Sequence, residues 1–222
     1  IEFDTNNNEN SEIDRVLHYA STNKIKLRNM AENGNNFAQR YLGDLYYYGD
    51  DGFRQSYKLA RLWYLKAANN NEVESIYMYA TLLRKGLGGS IDLIKARYYY
   101  LKGAQHKEFP HMGCIYQLAK MCYYGHGGPI DYNKARYYFK LAAVNGYDEE
   151  ALYYYSQCLD QGLGGHQNKE KAKFYQLLYQ SGYGELDQYD DQSNIPTYIT
   201  QEEKDRLQQL QDEKSKKTKK KR

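Results

Sequence analysis

GLGGSIDLIKARYYYLKGA (residues 86–104) and GHGGPIDYNKARYYFKLAA (residues 125–143) are one pattern written twice, 39 residues apart. On either side the same pattern returns as GDDGFRQSYKLARLWYLKAA (49–68) and GLGGHQNKEKAKFYQLLYQ (162–180). The leading glycines, Gly49, Gly86, Gly125 and Gly162, lie 37, 39 and 37 residues apart. Self-similarity at this period marks stacked supersecondary units, each too small to bury its own apolar face. The period therefore predicts a serial array of helical hairpins.

Upstream of each glycine runs a first helix, A. Six residues before the glycine the side chain is always small: Gly43, Ala80, Ala119, Ser156. Eleven residues before, it is small again: Ala38, Ser75, Cys114, Ala151. Small residues let helix axes approach toward the short end of the ~8–10 Å range. Leu42, Tyr79, Leu118 and Tyr155, with Tyr46, Leu83, Cys122 and Leu159, complete one face at offsets of three and four. The glycine fits a left-handed C-terminal cap. Each following loop closes on Ser56, Asp92, Asp131 or Asn168, residue types that accept hydrogen bonds from the first amides of a helix. A second helix, B, starts there. It carries a shared alanine (Ala60, Ala96, Ala135, Ala172), and the first three copies add a small pair at Ala67 and Ala68, Gly103 and Ala104, and Ala142 and Ala143. The fourth copy has Tyr179 and Gln180 instead, as expected of a terminal unit with no successor to pack against. Tyr64, Tyr99 and Tyr138 are the expected aromatic core positions of helix B.

These residues resemble the Sel-one-like repeat family, relatives of the tetratricopeptide repeats. The first copy matches at Ala38, Leu42, Gly43, Tyr46, Gly49, Ala60, Trp63, Tyr64, Ala67 and Ala68. The third matches at Leu118, Gly125, Gly127, Asp131, Lys134, Ala135, Tyr137, Tyr138, Ala142 and Ala143. The resemblance covers about residues 24–183 and recurs in phase four times. It implies an all-α fold, a right-handed α-solenoid (superhelix) of about four helix-turn-helix repeats. The expected units are 35–71, 72–108, 109–147 and 148–183, preceded by a degenerate half-repeat over 11–34. In some bacterial members a cysteine pair staples each repeat. Here Cys114 sits at one such position but Ala104 holds the other, so the resemblance does not extend to that stapled subgroup.

Outside the repeats the composition changes. Residues 1–10 are Asn-rich and expected to be disordered. Residues 184–199 read as an acidic linker. Thr200 with Glu203 forms a capping box that predicts a polar helix over 200–213, and the chain ends in a basic tail, KSKKTKKKR (214–222). The tail's seven positive residues turn a body of net charge −4 into a chain of +3. No basic groove for nucleic acid is implied in the body; nucleic acid or acidic lipid would be met only through the tail. No apolar run approaches the ~18 residues of a membrane helix, so no transmembrane segment is expected.

Chemical motifs are sparse. Cys114, Cys122 and Cys158 take apolar or small positions of helix A, as buried free thiols do. The five histidines show no metal-ligand spacing. The Gly-rich loops join two helices rather than a strand and a helix, which argues for a turn rather than a phosphate cradle. Carboxylates are scattered, with no pair in an apolar setting that would raise a pKa, and no nucleophile motif appears. No enzyme activity, metal or cofactor is expected. The sixteen asparagines include no N-x-Ser/Thr sequon; with three unpaired cysteines this favours a cytoplasmic setting over a secretory lumen.

Tyrosine is the anomaly, 27 against six phenylalanines. In tetratricopeptide-like stacks one face of helix A lines the concave groove. Carried onto this chain, the face is Arg40, Asp44 and Tyr47; Tyr77, Thr81 and Arg84; Tyr116, Lys120 and Tyr123; and Tyr153, Gln157 and Asp160. Each trio forms a single helical stripe, and tyrosine and arginine are residues that anchor protein interfaces. The resemblance implies a non-catalytic scaffold or adaptor whose groove binds an unidentified partner protein segment. The alternative expectation is an accessory repeat domain of a larger chain that carries an enzymatic or membrane-attached part.

Overall fold

In the computed structural model, residues 24–145 and 149–181 are described. Among them lie nine α-helices and no strand. They are α1 (Lys24–Glu32), α2 (Asn36–Tyr48), α3 (Tyr57–Asn69), α4 (Val73–Lys85), α5 (Leu93–Ala104), α6 (Met112–Tyr124), α7 (Tyr132–Asn145), α8 (Glu149–Gln161) and α9 (Lys169–Ser181). The chain divides into two compact units, meeting in sequence between His111 and Met112. Within the first, α1 to α5 pack each on the next in chain order; within the second, α6 to α9 do the same. The Asn-rich start, the acidic linker, the polar helix and the basic tail lie outside the described residues.

The hairpins form where the glycines and caps place them. Gly49, Gly86, Gly125 and Gly162 all have φ between 69° and 81°, the left-handed conformation that ends a helix without a side-chain penalty. Ser56, Asp92, Asp131 and Asn168 each accept a hydrogen bond from the backbone N–H three residues on, at 3.4, 2.9, 3.0 and 2.8 Å. The same four residues donate their own N–H back to helix A. The acceptors are the carbonyls of Tyr46, Leu83, Cys122 and Leu159, at 2.7, 3.0, 2.9 and 2.9 Å. Each cap therefore starts helix B and ties it to helix A at one repeat position.

The core is the small-residue face read from the sequence. Ala38, Ser75, Cys114 and Ala151, and Ala80, Ala119 and Ser156, are buried, as is Gly43. A Cβ on Gly43 would stand 2.6 Å from the Tyr64 ring, so α2 and α3 approach as closely as glycine allows. The tyrosine register of helix B differs from expectation. Tyr64, Tyr100 and Phe139 are the fully buried rings, while Tyr99 and Tyr138 are half-buried and Tyr137 is 61% exposed. Counted from the shared alanine, the in-phase pair of the third copy is Tyr138 and Phe139, one residue later than Tyr137 and Tyr138. Trp63 is buried in α3 with the Lys66 ammonium 4.1 Å from its ring centroid, an arrangement that adds cation–π attraction to burial.

Successive hairpins also lock through their loops. Gly88 and Gly164 lie against the carbonyls of Tyr57 and Tyr132, the first residues of the preceding helix B. Arg61 donates to the Ser90 carbonyl (3.2 Å) and Arg136 to the His166 carbonyl (2.9 Å), the same latch in both units. Lys102 closes the other end in the first unit by donating to the Ala68 carbonyl at 2.7 Å, and burial holds its pKa below the usual lysine range.

Gly88→Ala places a Cβ against the Tyr57 backbone at positive φ, and is expected to cost ~2–4 kcal/mol in urea unfolding. Gly34→Ala also has positive φ, but its Cβ meets nothing within 4 Å; its loss is expected to stay near ~1 kcal/mol. Equal losses would refute the packing role of Gly88.

Candidate interaction surface

In the first unit the stripe draws on α2 and α4, and much of its polarity is turned inward. Asp44 accepts the Tyr64 hydroxyl at 2.6 Å and faces Arg40 at 3.7 Å. Arg40 also stands 3.7 Å from Glu72, whose carboxylate caps α4 by accepting from the Ser75 N–H at 2.6 Å. Burial pushes the Asp44 carboxyl above its ordinary range, against the pull of Tyr64 and Arg40. Thr81 is only 8% exposed and shares a 3.0 Å hydrogen bond with the Tyr100 hydroxyl. Tyr77 stacks on His111 at 4.6 Å, and His111 meets Glu74 at 3.0 Å. The hydrogen bond from His111 holds the Glu74 carboxyl below its ordinary value. Tyr47 packs edge-on against Tyr48 and Tyr57. Arg40 Nε and Arg84 Nε are buried atoms with no hydrogen-bond acceptor among the described residues.

One repeat position explains the pairing. The buried ring of helix B lies against the middle stripe residue of helix A: Tyr64 with Asp44, and Tyr100 with Thr81. In the third copy the ring is Phe139, which has no hydroxyl to offer. The stripe residue there is Lys120, which lies 3.7 Å from Glu150 of α8 and over the rings of Tyr116 and Tyr154 at 5.2 and 5.6 Å.

In the second unit the stripe is aromatic. Tyr116 is only 6% exposed and donates its hydroxyl to Glu150. Tyr123 packs among Tyr124, Tyr132, Phe139 and Tyr154, and Tyr154 stacks on Phe139 at 4.9 Å. Tyr124 and Tyr154 share a 2.9 Å hydrogen bond. Tyr153 is 41% exposed and touches Tyr179 at 5.5 Å. Gln157 accepts from Gln161, and Asp160 is exposed. The fold thus keeps the stripe residues on helix A in phase but buries Thr81 and Tyr116. It also adds neighbours that stripe spacing missed: Tyr124, Tyr154, Tyr179, Glu150 and His111. Tyr124 and Tyr154 directly follow stripe tyrosines, about 100° around the helix from them at 3.6 residues per turn. The Tyr-Tyr doublets were the available signal.

Cys114, Cys122 and Cys158 are buried and in no disulfide among the described residues, and burial pushes Cys158 up to about 11, away from the thiolate a nucleophile needs. Among the described residues no group of three or more His, Cys, Asp or Glu is placed to hold a metal ion. No helix among them is long and apolar enough to cross a membrane.

Comparison with known proteins gives the same architecture. The family model for the Sel1 repeat matches residues 36–72, 73–107, 114–147 and 149–175. Among solved structures, c5321, described as a protective antigen present in uropathogenic Escherichia coli strains displaying an SLR fold, is similar at 29% identity with a TM-score of 0.64. The match covers 74% of this chain and 36% of that protein, so the chain spans about a third of its length. A Sel1 repeat protein from Oxalobacter formigenes has the same fold, with a TM-score of 0.64 at 24% identity over 81% of this chain and 76% of that one. No curated protein matches the chain.

The two shifted carboxyls predict opposite pH responses. Glu74, held down, adds stability above its ordinary 4.5 and loses it as pH falls through the native value. Asp44, held up, adds stability below its ordinary 3.8 and loses it as pH rises through the native value. Urea unfolding followed from about pH 3 to about pH 6 is expected to show a shallower acid loss for Glu74→Gln and a steeper one for Asp44→Asn. Parallel profiles would contradict both assignments.

Proposed function

The chain belongs to the Sel1 repeat family, and from that premise we propose that it is a non-catalytic adaptor that binds a partner protein segment along the helix-A stripe. Sel1 repeat proteins act in general as non-catalytic protein-interaction scaffolds. The observation that carries the reading is the character of this stripe. Arg40 and Arg84 stand half-buried on it beside Tyr47 and Tyr77; Arg40 faces Asp44 and Glu72 at 3.7 Å, and Arg84 hydrogen-bonds the Tyr100 hydroxyl. Tyrosine and arginine, the residues at hand, are those most enriched in binding hot spots. On the first unit a partner's carbonyl or carboxylate oxygens would meet the stripe arginines; on the second, a partner's side chains would cover the tyrosine rings.

The core tyrosines make poor probes, because truncating Tyr116 removes a buried side chain. Arg84→Glu with Lys120→Glu changes only half-buried stripe positions. Lys58→Glu with Lys173→Glu, both exposed on helix B, is the control of equal charge change. Affinity capture with the full chain, quantified by mass spectrometry, is expected to lose its specific partners by about tenfold or more with the stripe variant and to keep them with the control. Equal recovery with both variants would sink the stripe as the binding face.

A further inference from the structure

The second unit carries a continuous strip of tyrosine rings. From the start of α7 it runs Tyr132, Tyr123, Tyr124, Tyr154, Tyr153, Tyr179, ending on α9. Successive ring centroids are 5.4, 5.0, 6.2, 5.4 and 5.5 Å apart. Four of the contacts are edge-on or close to it, with interplanar angles of 74° to 89°. Edge-on rings leave wedges between them. Tyr124 is 47% exposed, and Tyr132, Tyr153 and Tyr179 are exposed as well. The cation lying on these rings, Lys120, stands 3.7 Å from Glu150, so the strip itself asks for no charged ligand.

We propose that this strip binds a proline-rich, near-neutral segment in the polyproline II conformation. The inference rests on the adaptor reading above and names its partner class. A polyproline II backbone makes no internal hydrogen bonds, so its carbonyls are available to ligand-facing donors. The Tyr132, Tyr153 and Tyr179 hydroxyls offer such donors, those of Tyr124 and Tyr154 being shared with each other at 2.9 Å, and pyrrolidine rings fill the wedges between edge-on aromatics. The other common modes of peptide recognition fit less well. Strand addition needs a sheet edge, and the described residues contain no strand. A helical ligand has its carbonyls engaged internally and would leave the hydroxyl row facing apolar side chains. An acidic or phosphorylated ligand needs an arginine cluster, and the strip offers one lysine beside a glutamate. A basic ligand would have to displace Lys120 from the Tyr154 ring.

The test uses fluorescein-labelled decaproline and the full chain, read by fluorescence anisotropy. Gly-Ser, Lys-rich and Glu-rich peptides of the same length serve as comparators. Decaproline is expected to bind at least about tenfold more tightly than each comparator. Tyr153→Ala and Tyr124→Ala are expected to weaken it about fivefold or more while the helical circular dichroism signal is retained. Tyr153→Phe keeps the ring and loses the donor, for an expected loss of about two- to threefold. Decaproline binding no better than any comparator overturns the inference, as does unchanged affinity in both alanine variants. Should an alanine variant lose its helical signal, Tyr153→Phe decides, and wild-type affinity there overturns the inference. Failure of decaproline while the Arg84/Lys120 variant still loses its captured partners removes the proline-rich assignment and leaves the adaptor reading standing.

Discussion

Helices in this chain come together where a side chain is missing. At Gly43 even a methyl group would enter the Tyr64 ring, and alanine or serine takes the same position in the other copies. Close approach does more than exclude water, since interiors are dense enough that a single extra carbon is felt. It also brings the hydroxyl of a helix-B tyrosine within reach of a polar residue on helix A, as Tyr64 reaches Asp44 and Tyr100 reaches Thr81. The loop glycine on the preceding backbone and the arginine latch extend the same economy of space from one hairpin to the next. Within each unit the helices pack each on the next, inside hairpins and between them, which is the condition for a repeat protein's stability to be shared between neighbours.

That closeness shapes the surface. Polar residues of the helix-A stripe serve two masters: Asp44 and Thr81 answer the buried tyrosines behind them. Where the buried ring becomes Phe139, the obligation disappears, and Lys120 turns to Glu150 and to the rings of Tyr116 and Tyr154. The two units therefore differ in character on the same repeat framework. The first is a polar stripe whose arginines face Asp44, Glu72 and the Tyr100 hydroxyl. The second is an aromatic strip whose charges compensate one another.

The period, the caps and the small-residue face were legible because each is a local demand repeated in phase. A left-handed glycine, a capping Ser, Asp or Asn and a close helix crossing each admit few residue types, and four copies remove the ambiguity of one. The helix-B register was less legible. In Tyr98-Tyr99-Tyr100 and Tyr137-Tyr138-Phe139 the contrast between buried and exposed side chains disappears, since every position is aromatic; only counting from Ala96 and Ala135 separates them. The burial of Thr81 and Tyr116 was out of reach for another reason, being decided by side chains of other helices. Tyr124 and Tyr154 escaped because stripe spacing follows Cα directions, while a tyrosine hydroxyl reaches well beyond the line its backbone sets.

The chain's one tryptophan, Trp63, lies buried in α3 of the first unit, beneath Lys66. Indole emission excited at the red edge of protein absorbance therefore originates in that unit alone. The second unit has no indole, and the phenol signal draws on tyrosines of both units. The molecule thus carries, without an attached dye, a built-in reporter of its first half: a melt seen in indole emission belongs to that unit, and any further transition seen only in the phenol signal is a separate event.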